Sequence, residues 1–381
     1  MTDSRISVTA KNPLFLISLI REIFVFPRWQ DAMLSLLSAV LLILAFPNFE
    51  LWFVTWFALV PMFVAIERNK NSTARSFWLG LLTGSVFYFG SCWWLTYAPI
   101  RYGGLPAPLI YLLFIPVTVA AGFFTGIFAA ILARLMSKFG HYAIFLTPFI
   151  WTACELARYW LTGNAWNALG YSQAFVPSAI RAAEYGGVFL ISFLLIIRNA
   201  LVFFVIINKG NVLTWKKALP VFGIILLLAL KSQILKPHDA SNTPQESSVV
   251  VIALQPNVPM SGLTYEKYFD LRQRHVEMAE AALREVNTKP ELKDLRKILV
   301  FPESPMSFQY AQDSEFREFV QAFNVRNRVS LIFNGWEPTA QGEGLTNSAV
   351  MINERGEKVA QYDKIRLVPF GEYIPQWIPF S

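Results

Sequence analysis

Glu303 is a carboxylate that directly follows an apolar run, residues 298–301, and Pro302. The run is typical of a strand buried on both faces, and in layered α/β sheets the chemistry gathers at the carboxyl ends of such strands. A side chain there can take up or release a proton. A turn or helix-start role is the structural alternative. Glu303 is therefore a candidate catalytic residue.

Two more charged residues, Lys364 and Glu372, follow the last predicted strand. From position alone, Lys364 fits a solvated lysine at a strand end. Glu372 fits a residue that caps a turn after Pro369 and Gly371. These structural roles stay open until the surrounding motif is considered.

Nucleophiles and metal ligands are sparse. Cys92 and Cys154 both fall in apolar segments, where a thiol is a poor nucleophile, and no disulfide framework is implied. His141, His238 and His275 are scattered without ligand spacing. No glycine-rich phosphate loop is visible. We expect neither a metal nor a cofactor.

The charges divide the chain into two parts. Apolar residues make up 54% of it and charged residues 15%, well below the ~25% charge of soluble domains. Residues 1–235 hold 17 Lys and Arg against 7 Asp and Glu, whereas the last 146 residues hold 16 against 19. The net charge of +7 thus comes from the apolar part, where basic residues flank spans, so nucleic-acid binding is not indicated.

Seven apolar segments are candidate transmembrane helices, given the need for about 20 apolar residues to cross a bilayer. They cover residues 32–46, 51–66, 77–97, 108–132, 142–160, 188–207 and 219–234. Pro47 and Asn48 predict a tight helical hairpin between the first two. Residues 13–26 are also apolar, but Arg21 and Glu22 favour an interfacial helix there.

The distribution of basic residues predicts the orientation. Twelve Lys and Arg residues lie on one side of these spans, from Arg5 to Lys217, against Arg101, Arg158 and Arg181 on the other. By the positive-inside rule the N-terminus is cytoplasmic and the C-terminal part lies outside. No cleavable signal peptide is evident.

A second domain begins after a polar linker. We predict an N-terminal cytoplasmic segment (1–29), a membrane domain (30–235), a linker (236–247) and an extracytoplasmic α/β domain (248–381). Within the last, apolar runs predict strands at 248–254, 297–301, 329–334, 347–352 and 358–362. Amphipathic patterns predict helices at 264–286 and 313–323. Alternating strands and helices indicate a layered α/β fold.

Several motifs in this sequence resemble one enzyme family. They are Val300-Phe301-Pro302-Glu303-Ser304-Pro305, residues 362–375 with Lys364 and the string Leu367-Val368-Pro369-Phe370-Gly371-Glu372, residues 252–259, and the span and loop at 151–173. The first two are similar to the Glu and Lys motifs of the nitrilase superfamily. All four together resemble the apolipoprotein N-acyltransferases of bacterial inner membranes, from about residue 41 onward.

The resemblance implies a multi-pass α-helical membrane domain followed by an α/β nitrilase-like (αββα sandwich) domain. It also implies acyl transfer from a phospholipid, through a cysteine thioester, to the α-amine of a lipoprotein's diacylglyceryl-cysteine. Glu303 matches the catalytic base, Lys364 the lysine that stabilises the oxyanion, and Glu372 a second glutamate near the site. The implied partners are a phospholipid donor, an apolipoprotein acceptor and the inner membrane, with no nucleic acid.

The family's nucleophilic Cys-Tyr-Glu motif has no counterpart here, because Cys92 and Cys154 are the only cysteines. Three explanations remain open: a fragment, one half of a split enzyme completed by a second polypeptide, or a chain that has lost its chemistry. We expect the first, because residues 377–381 form an abrupt apolar end. A sheet interrupted in this way is expected to leave an exposed apolar face, and the domain is therefore expected to be incomplete.

Two further expectations concern the membrane part. Glu155 and Arg158 lie three residues apart and are expected to pair with each other. Trp93, Trp94 and Tyr97, with Trp160 and Trp166, fit an interfacial aromatic belt. A non-catalytic membrane scaffold or lipid-binding protein is the alternative function, and a transporter is a weaker one because no paired carboxylates appear.

Overall fold

A computed structural model of the chain describes residues 25–208, 249–257, 265–303, 309–339 and 344–368. Contacts between Cα atoms divide the chain into two compact units, Met1–Pro237 and His238–Ser381. The predicted span 219–234, the linker 236–247 and Glu372 lie outside the described residues. The two units are described separately.

The first unit is helical. Its α-helices are α1 (Trp29–Leu44), α2 (Val60–Arg68), α3 (Thr73–Ser91), α4 (Tyr97–Arg101), α5 (Ala107–Phe139), α6 (Thr147–Thr162), α7 (Pro177–Ile180) and α8 (Ala183–Ile207). Short 3₁₀ helices lie at Trp52–Trp56, Trp93–Thr96, Gly140–Leu146 and Leu169–Gln173.

Two helical segments of the described chain, Ala107–Thr162 and Ala183–Ile207, are long and apolar enough to cross a membrane. The predicted span 51–66 is instead a 3₁₀ helix followed by the short α2. The number of seven spans therefore stays a prediction.

Small residues bring α3 and α5 into close contact. A Cβ added at Gly84 of α3 would lie 2.8 Å from the Cα of Gly122 of α5. Since van der Waals packing is the main attraction between helices in a membrane, backbones that approach closely gain contact area. The glycines of these two helices thus serve packing.

A buried amide links three parts of the first unit. Asn199 of α8 is fully buried. Its Oδ1 accepts a hydrogen bond from the N–H of Leu59 (2.9 Å), and its Nδ2 donates to the carbonyls of Thr55 (2.7 Å) and Leu195 (2.9 Å). Leu59 and Thr55 lie where 52–66 leaves regular α-helix, so Asn199 satisfies backbone groups that lack helical partners.

We expect Asn199→Leu to destabilise the first unit by about 2–4 kcal/mol, because it leaves two buried backbone groups of residues 55 and 59 unpaired. Thermal unfolding in detergent micelles measures the effect. Asn208→Leu is the matched control, since the Asn208 side chain donates to the Phe204 carbonyl of its own helix, at the end of α8. Equal losses of melting temperature in the two variants would contradict this account.

The second unit contains a five-stranded mixed sheet and two helices. The strands are β1 (Val249–Ala253), β2 (Arg296–Val300), β3 (Val329–Pro338), β4 (Leu345–Ile352) and β5 (Lys358–Asp363), and the helices are α9 (Tyr265–Thr288) and α10 (Ser314–Asn327). The strands and helices overlap the predicted segments, and β3 is longer than predicted.

The order β1-β2-β3-β4-β5 and the pairing fix which strand ends meet. β1, β2 and β3 are parallel, β4 is antiparallel to β3, and β5 is antiparallel to β4. β5 therefore runs in the direction of β2, and the two strands end at the same edge of the sheet. Glu303 lies just beyond β2, and Lys364 just beyond β5.

Both helices cover one face of the sheet. Ala279 and Leu283 of α9 and Val320 of α10 share a buried core with Leu331 and Phe333 of β3. Alternation along the strands turns the neighbouring residues to the other face. Val251 and Tyr362 on that face are each 63% exposed. One face is therefore packed, while the opposite face presents apolar side chains to solvent.

We expect Phe333→Ala to destabilise the second unit by about 3–5 kcal/mol, because Phe333 is 1% exposed and its ring contacts Phe316 and Tyr310. Hydrogen exchange of the β3 and β4 amides in the full chain measures the loss. Phe319→Ala is the control, since Phe319 is 42% exposed. Unchanged protection of β3 in Phe333→Ala would refute the core assignment.

Candidate functional site

An ion pair joins the two predicted catalytic residues that the structure describes. Lys364 Nζ lies 2.8 Å from Glu303 Oε1, although the residues are 61 positions apart in sequence. The side chain of Glu303 is 60% exposed and that of Lys364 is 32% exposed. The pair thus lies at the surface of the second unit, at the edge where β2 and β5 end.

Backbone pairing fixes Glu303 and Lys364 at this edge. The N–H of Phe301 donates to the Ile332 carbonyl at 2.9 Å, which extends β2 toward Glu303 beyond its last residue. The N–H of Lys364 donates to the Asn347 carbonyl at 2.8 Å, which does the same for β5. Both charged side chains therefore start from a backbone held by the sheet.

A cluster of polar side chains surrounds the end of β5. Asp363 Oδ1 accepts hydrogen bonds from Ser348 Oγ (2.7 Å), Gln361 Nε2 (2.8 Å) and Thr346 Oγ1 (3.2 Å). These donors hold the pKa of the Asp363 carboxyl below its usual range, the bond from Gln361 being the largest cause and that from Ser348 the next. Asp363, which directly precedes Lys364, is therefore tied to strand β4.

A buried histidine lies behind the Glu303 segment. His275 of α9 is 1% exposed, its Nδ1 lies 2.6 Å from the Leu271 carbonyl, and its ring centroid lies 5.4 Å from that of Phe301. Because Leu271 precedes it by one turn, the contact fixes the ring against its own helix. His275 thus supports the end of β2 by packing.

Of the three site residues expected from the sequence, Glu303 and Lys364 lie together and Glu372 lies outside the described residues. Cys92 and Cys154 both lie in the first unit. Among the described residues, no group of His, Cys, Asp and Glu has the arrangement of a metal site.

The polar cluster around Asp363 was not predicted from the sequence. The sequence does indicate part of this cluster, because Thr346 and Ser348 lie two apart in a strand and therefore share a face. Which polar residue of β5 they meet depends on the register, which pairs Ser348 with Asp363.

The expected pairing of Glu155 with Arg158 is wrong. Both residues are described, yet no salt bridge within 4 Å joins them. Instead Glu155 Oε1 accepts a hydrogen bond from the N–H of Leu169 at 2.8 Å, and the Arg158 guanidinium lies 5.2 Å from the centroid of the Tyr88 ring. A buried backbone donor and an aromatic face thus replace the local ion pair.

The chain is similar in sequence to known proteins over most of its length. Residues 38–201 match the family model described as the apolipoprotein N-acyltransferase N-terminal domain. Proteins named apolipoprotein N-acyltransferase are similar over most of the chain: those of Geobacter metallireducens, Pseudomonas putida and Aquifex aeolicus are 28%, 26% and 26% identical over 93%, 92% and 93% of it.

The matched regions cover 67%, 66% and 72% of those three relatives, so the chain spans about two thirds of their length. Among solved structures, an N-terminal amidase aligns with 31% of this chain and 28% of its own, at 16% identity. The TM-score of 0.24 is too low to support a common fold.

The chain has an apolar helical unit and a unit with a mixed sheet and a Glu–Lys pair, and its matches are to a family of bacterial acyltransferases. These matches support the assignment of the chain to the apolipoprotein N-acyltransferase family.

We expect acid to release the end of β5, because a carboxyl with a depressed pKa stabilises the fold above its unfolded pKa. That contribution is lost as the pH falls through the folded pKa, which lies below the ordinary value of an aspartate. Hydrogen exchange at Lys364, followed as the pH is lowered, measures the release. Asp363→Asn should abolish this acid dependence, whereas Asp270→Asn, at an exposed position of α9, should retain it. Identical profiles for both variants would contradict the assignment.

Proposed function

We propose that the chain takes part in bacterial lipoprotein maturation as an N-acyltransferase. The reaction transfers a fatty acyl chain from a phospholipid to the α-amine of the N-terminal diacylglyceryl-cysteine of an apolipoprotein. The observation that carries the proposal is the contact of Glu303 with Lys364 at 2.8 Å. Similarity to the apolipoprotein N-acyltransferases supplies the substrate class.

The energetics of the pair favour a functional role. An ion pair between side chains this exposed contributes only about 0–1 kcal/mol to stability. The fold therefore gains little from bringing two distant charges together. An acyl transfer needs both a base and a positive charge near the reacting carbonyl, and the pair supplies one of each.

Each residue has one task in this proposal. Glu303 takes the proton from the attacking thiol and later from the acceptor amine, and the Lys364 ammonium stabilises the tetrahedral oxyanion. Glu372 acts as a second carboxylate near the pair. The chemistry needs no metal and no cofactor.

The thiol itself comes from another polypeptide segment in this proposal. Cys92 and Cys154 lie in the helical unit, and neither lies in a sequence similar to the family's cysteine motif. The exposed apolar side chains Val251 and Tyr362 suit a second layer packed on the open face of the sheet. A segment that brings both this layer and the cysteine would complete an αββα sandwich, and without it the chain is inactive.

We also propose a multi-pass location in the inner membrane, with the N-terminus cytoplasmic and the second unit periplasmic. The two long apolar helical segments support membrane insertion. Trp94 and Trp166 have ring centroids 5.3 Å apart, and Trp160 is 81% exposed. Exposed aromatic side chains of this kind suit the interface between lipid and water, close to a phospholipid donor.

The test is acylation by the chain co-expressed with a polypeptide that carries the family's cysteine motif. A synthetic diacylglyceryl-cysteine lipopeptide is the acceptor, and the mass gained at its α-amine is the measurement. We expect acylation only when both polypeptides are present. If the chain is a membrane scaffold without turnover, the two co-expressed polypeptides produce no acylation. That result would refute the enzymatic proposal.

We expect Glu303→Gln and Lys364→Met each to lower the rate by about 10²–10³-fold in this assay, because one removes the base and the other the positive charge. Glu318→Gln and Lys293→Met are matched controls, since both residues lie at exposed positions away from the pair. Variants of Glu303 or Lys364 that keep full activity would contradict the assigned roles.

A further inference from the structure

A small cavity lies between α3, α5 and α6 of the helical unit. Tyr88, Trp151, Cys154, Glu155 and Arg158 line it, together with aromatic and threonine side chains of α5. Its free volume of about 10 Å³ is room for one water molecule. All residues that line this cavity belong to the first unit, whereas Glu303 and Lys364 belong to the second.

Within the described part of the chain, four buried polar atoms on three of the lining residues make no hydrogen bond of normal geometry, although the Trp151 indole and the Ser192 hydroxyl lie near the Glu155 carboxylate. The four atoms are Arg158 Nε, Arg158 Nη2, Trp151 Nε1 and Glu155 Oε2. Arg158 is 3% exposed, Glu155 6% and Trp151 8%. An unpaired polar group in an apolar interior is strongly unfavourable, and an unpaired charge more so. Their concentration around one cavity therefore points to a bound molecule.

The donor or acceptor character of these atoms defines the chemistry of the bound molecule. The arginine and tryptophan nitrogens are donors and require an acceptor, whereas Glu155 Oε2 is an acceptor when ionised and requires a donor. An anion such as phosphate would satisfy the nitrogens but lie against the carboxylate. A cation would satisfy the carboxylate but lie against the guanidinium. Only a small molecule that both donates and accepts hydrogen bonds satisfies both sides.

We propose that this cavity is a binding site for one water molecule that bridges Glu155 and Arg158. The bridge replaces the direct ion pair that the two residues do not form. The other oxygen of Glu155 bonds to Leu169, and the guanidinium packs on Tyr88. The water thus connects the turn at Leu169 to the α3–α6 contact through two charged side chains.

The site has a chemical consequence for Cys154. This residue lines the cavity, whereas Cys92 does not, and the chain has no other cysteine. The cysteine thiolate attacks thiol reagents, and the thiolate forms where water is available. Cys154 should therefore react faster than a cysteine at the same depth that faces lipid.

The labelling experiment uses the full chain in liposomes and the small neutral reagent methyl methanethiosulfonate. Cys92→Ala leaves Cys154 as the single target. The control is Ala153→Cys in a Cys92→Ala/Cys154→Ala background, because Ala153 is exposed on α6 one residue away from the cavity wall. We expect modification of Cys154 to be at least about 10-fold faster. Equal rates, or faster modification of residue 153, would overturn the hydrated site.

The occupant is identified by an experimental density map of the full chain in lipid, at a resolution that shows ordered water. We expect a single compact peak at about 2.7–3.2 Å from Glu155 and Arg158. Elongated density of a phospholipid headgroup, a phosphate-sized peak or a direct Glu155–Arg158 contact would each overturn the proposal. Arg158→Met should remove the peak and lower the melting temperature. A peak that remains in this variant would likewise count against bridging.

Discussion

The antiparallel ladder between β3 and β4 decides where the charged residues of the second unit meet. β3 runs parallel to β2, and the ladder pairs it with β4 from Leu331 opposite Ile352 to Pro338 opposite Leu345. β4 returns the chain to the starting side of the sheet, so that β5 can run forward again. Lys364 consequently emerges at the same edge as Glu303. The contact at 2.8 Å is a consequence of strand direction more than of local sequence.

The polar cluster at Asp363 depends on the next ladder, between β4 and β5. Register places Ser348 opposite Asp363, and a shift of one residue would turn every side chain of β5 to the other face. Buried Val350 and Ile352 fix β4 itself against β3, because a shift of β4 by one residue would move them from the core to the open face. Core packing thus fixes the strand against which Asp363, the residue before the proposed catalytic lysine, is paired.

Much of the second unit was predictable, because β-branched apolar runs between turn residues indicate strands. Glu303 was identified from its place after such a run. That Lys364 meets it came from motif resemblance, since no local rule connects residues so distant in sequence. In the helical unit, spacing predicted that Glu155 and Arg158 would pair. The prediction was wrong because a backbone N–H from Leu169, unseen in any periodic pattern, takes the carboxylate oxygen. Sequence patterns do not reveal hydrogen-bond donors that come from a distant part of the chain.

The separation of 61 residues between Glu303 and Lys364 also affects how the protein is made. Synthesis proceeds from the N-terminus, so the ribosome adds Glu303 well before the chain that forms β4 and β5. During that interval the carboxylate has no partner, because β5 and Lys364 do not yet exist. Such long-range contacts form late in folding. A nascent chain arrested before residue 364 therefore lacks the Glu303–Lys364 pair, and the proposed proton transfer becomes possible only when β5 is complete.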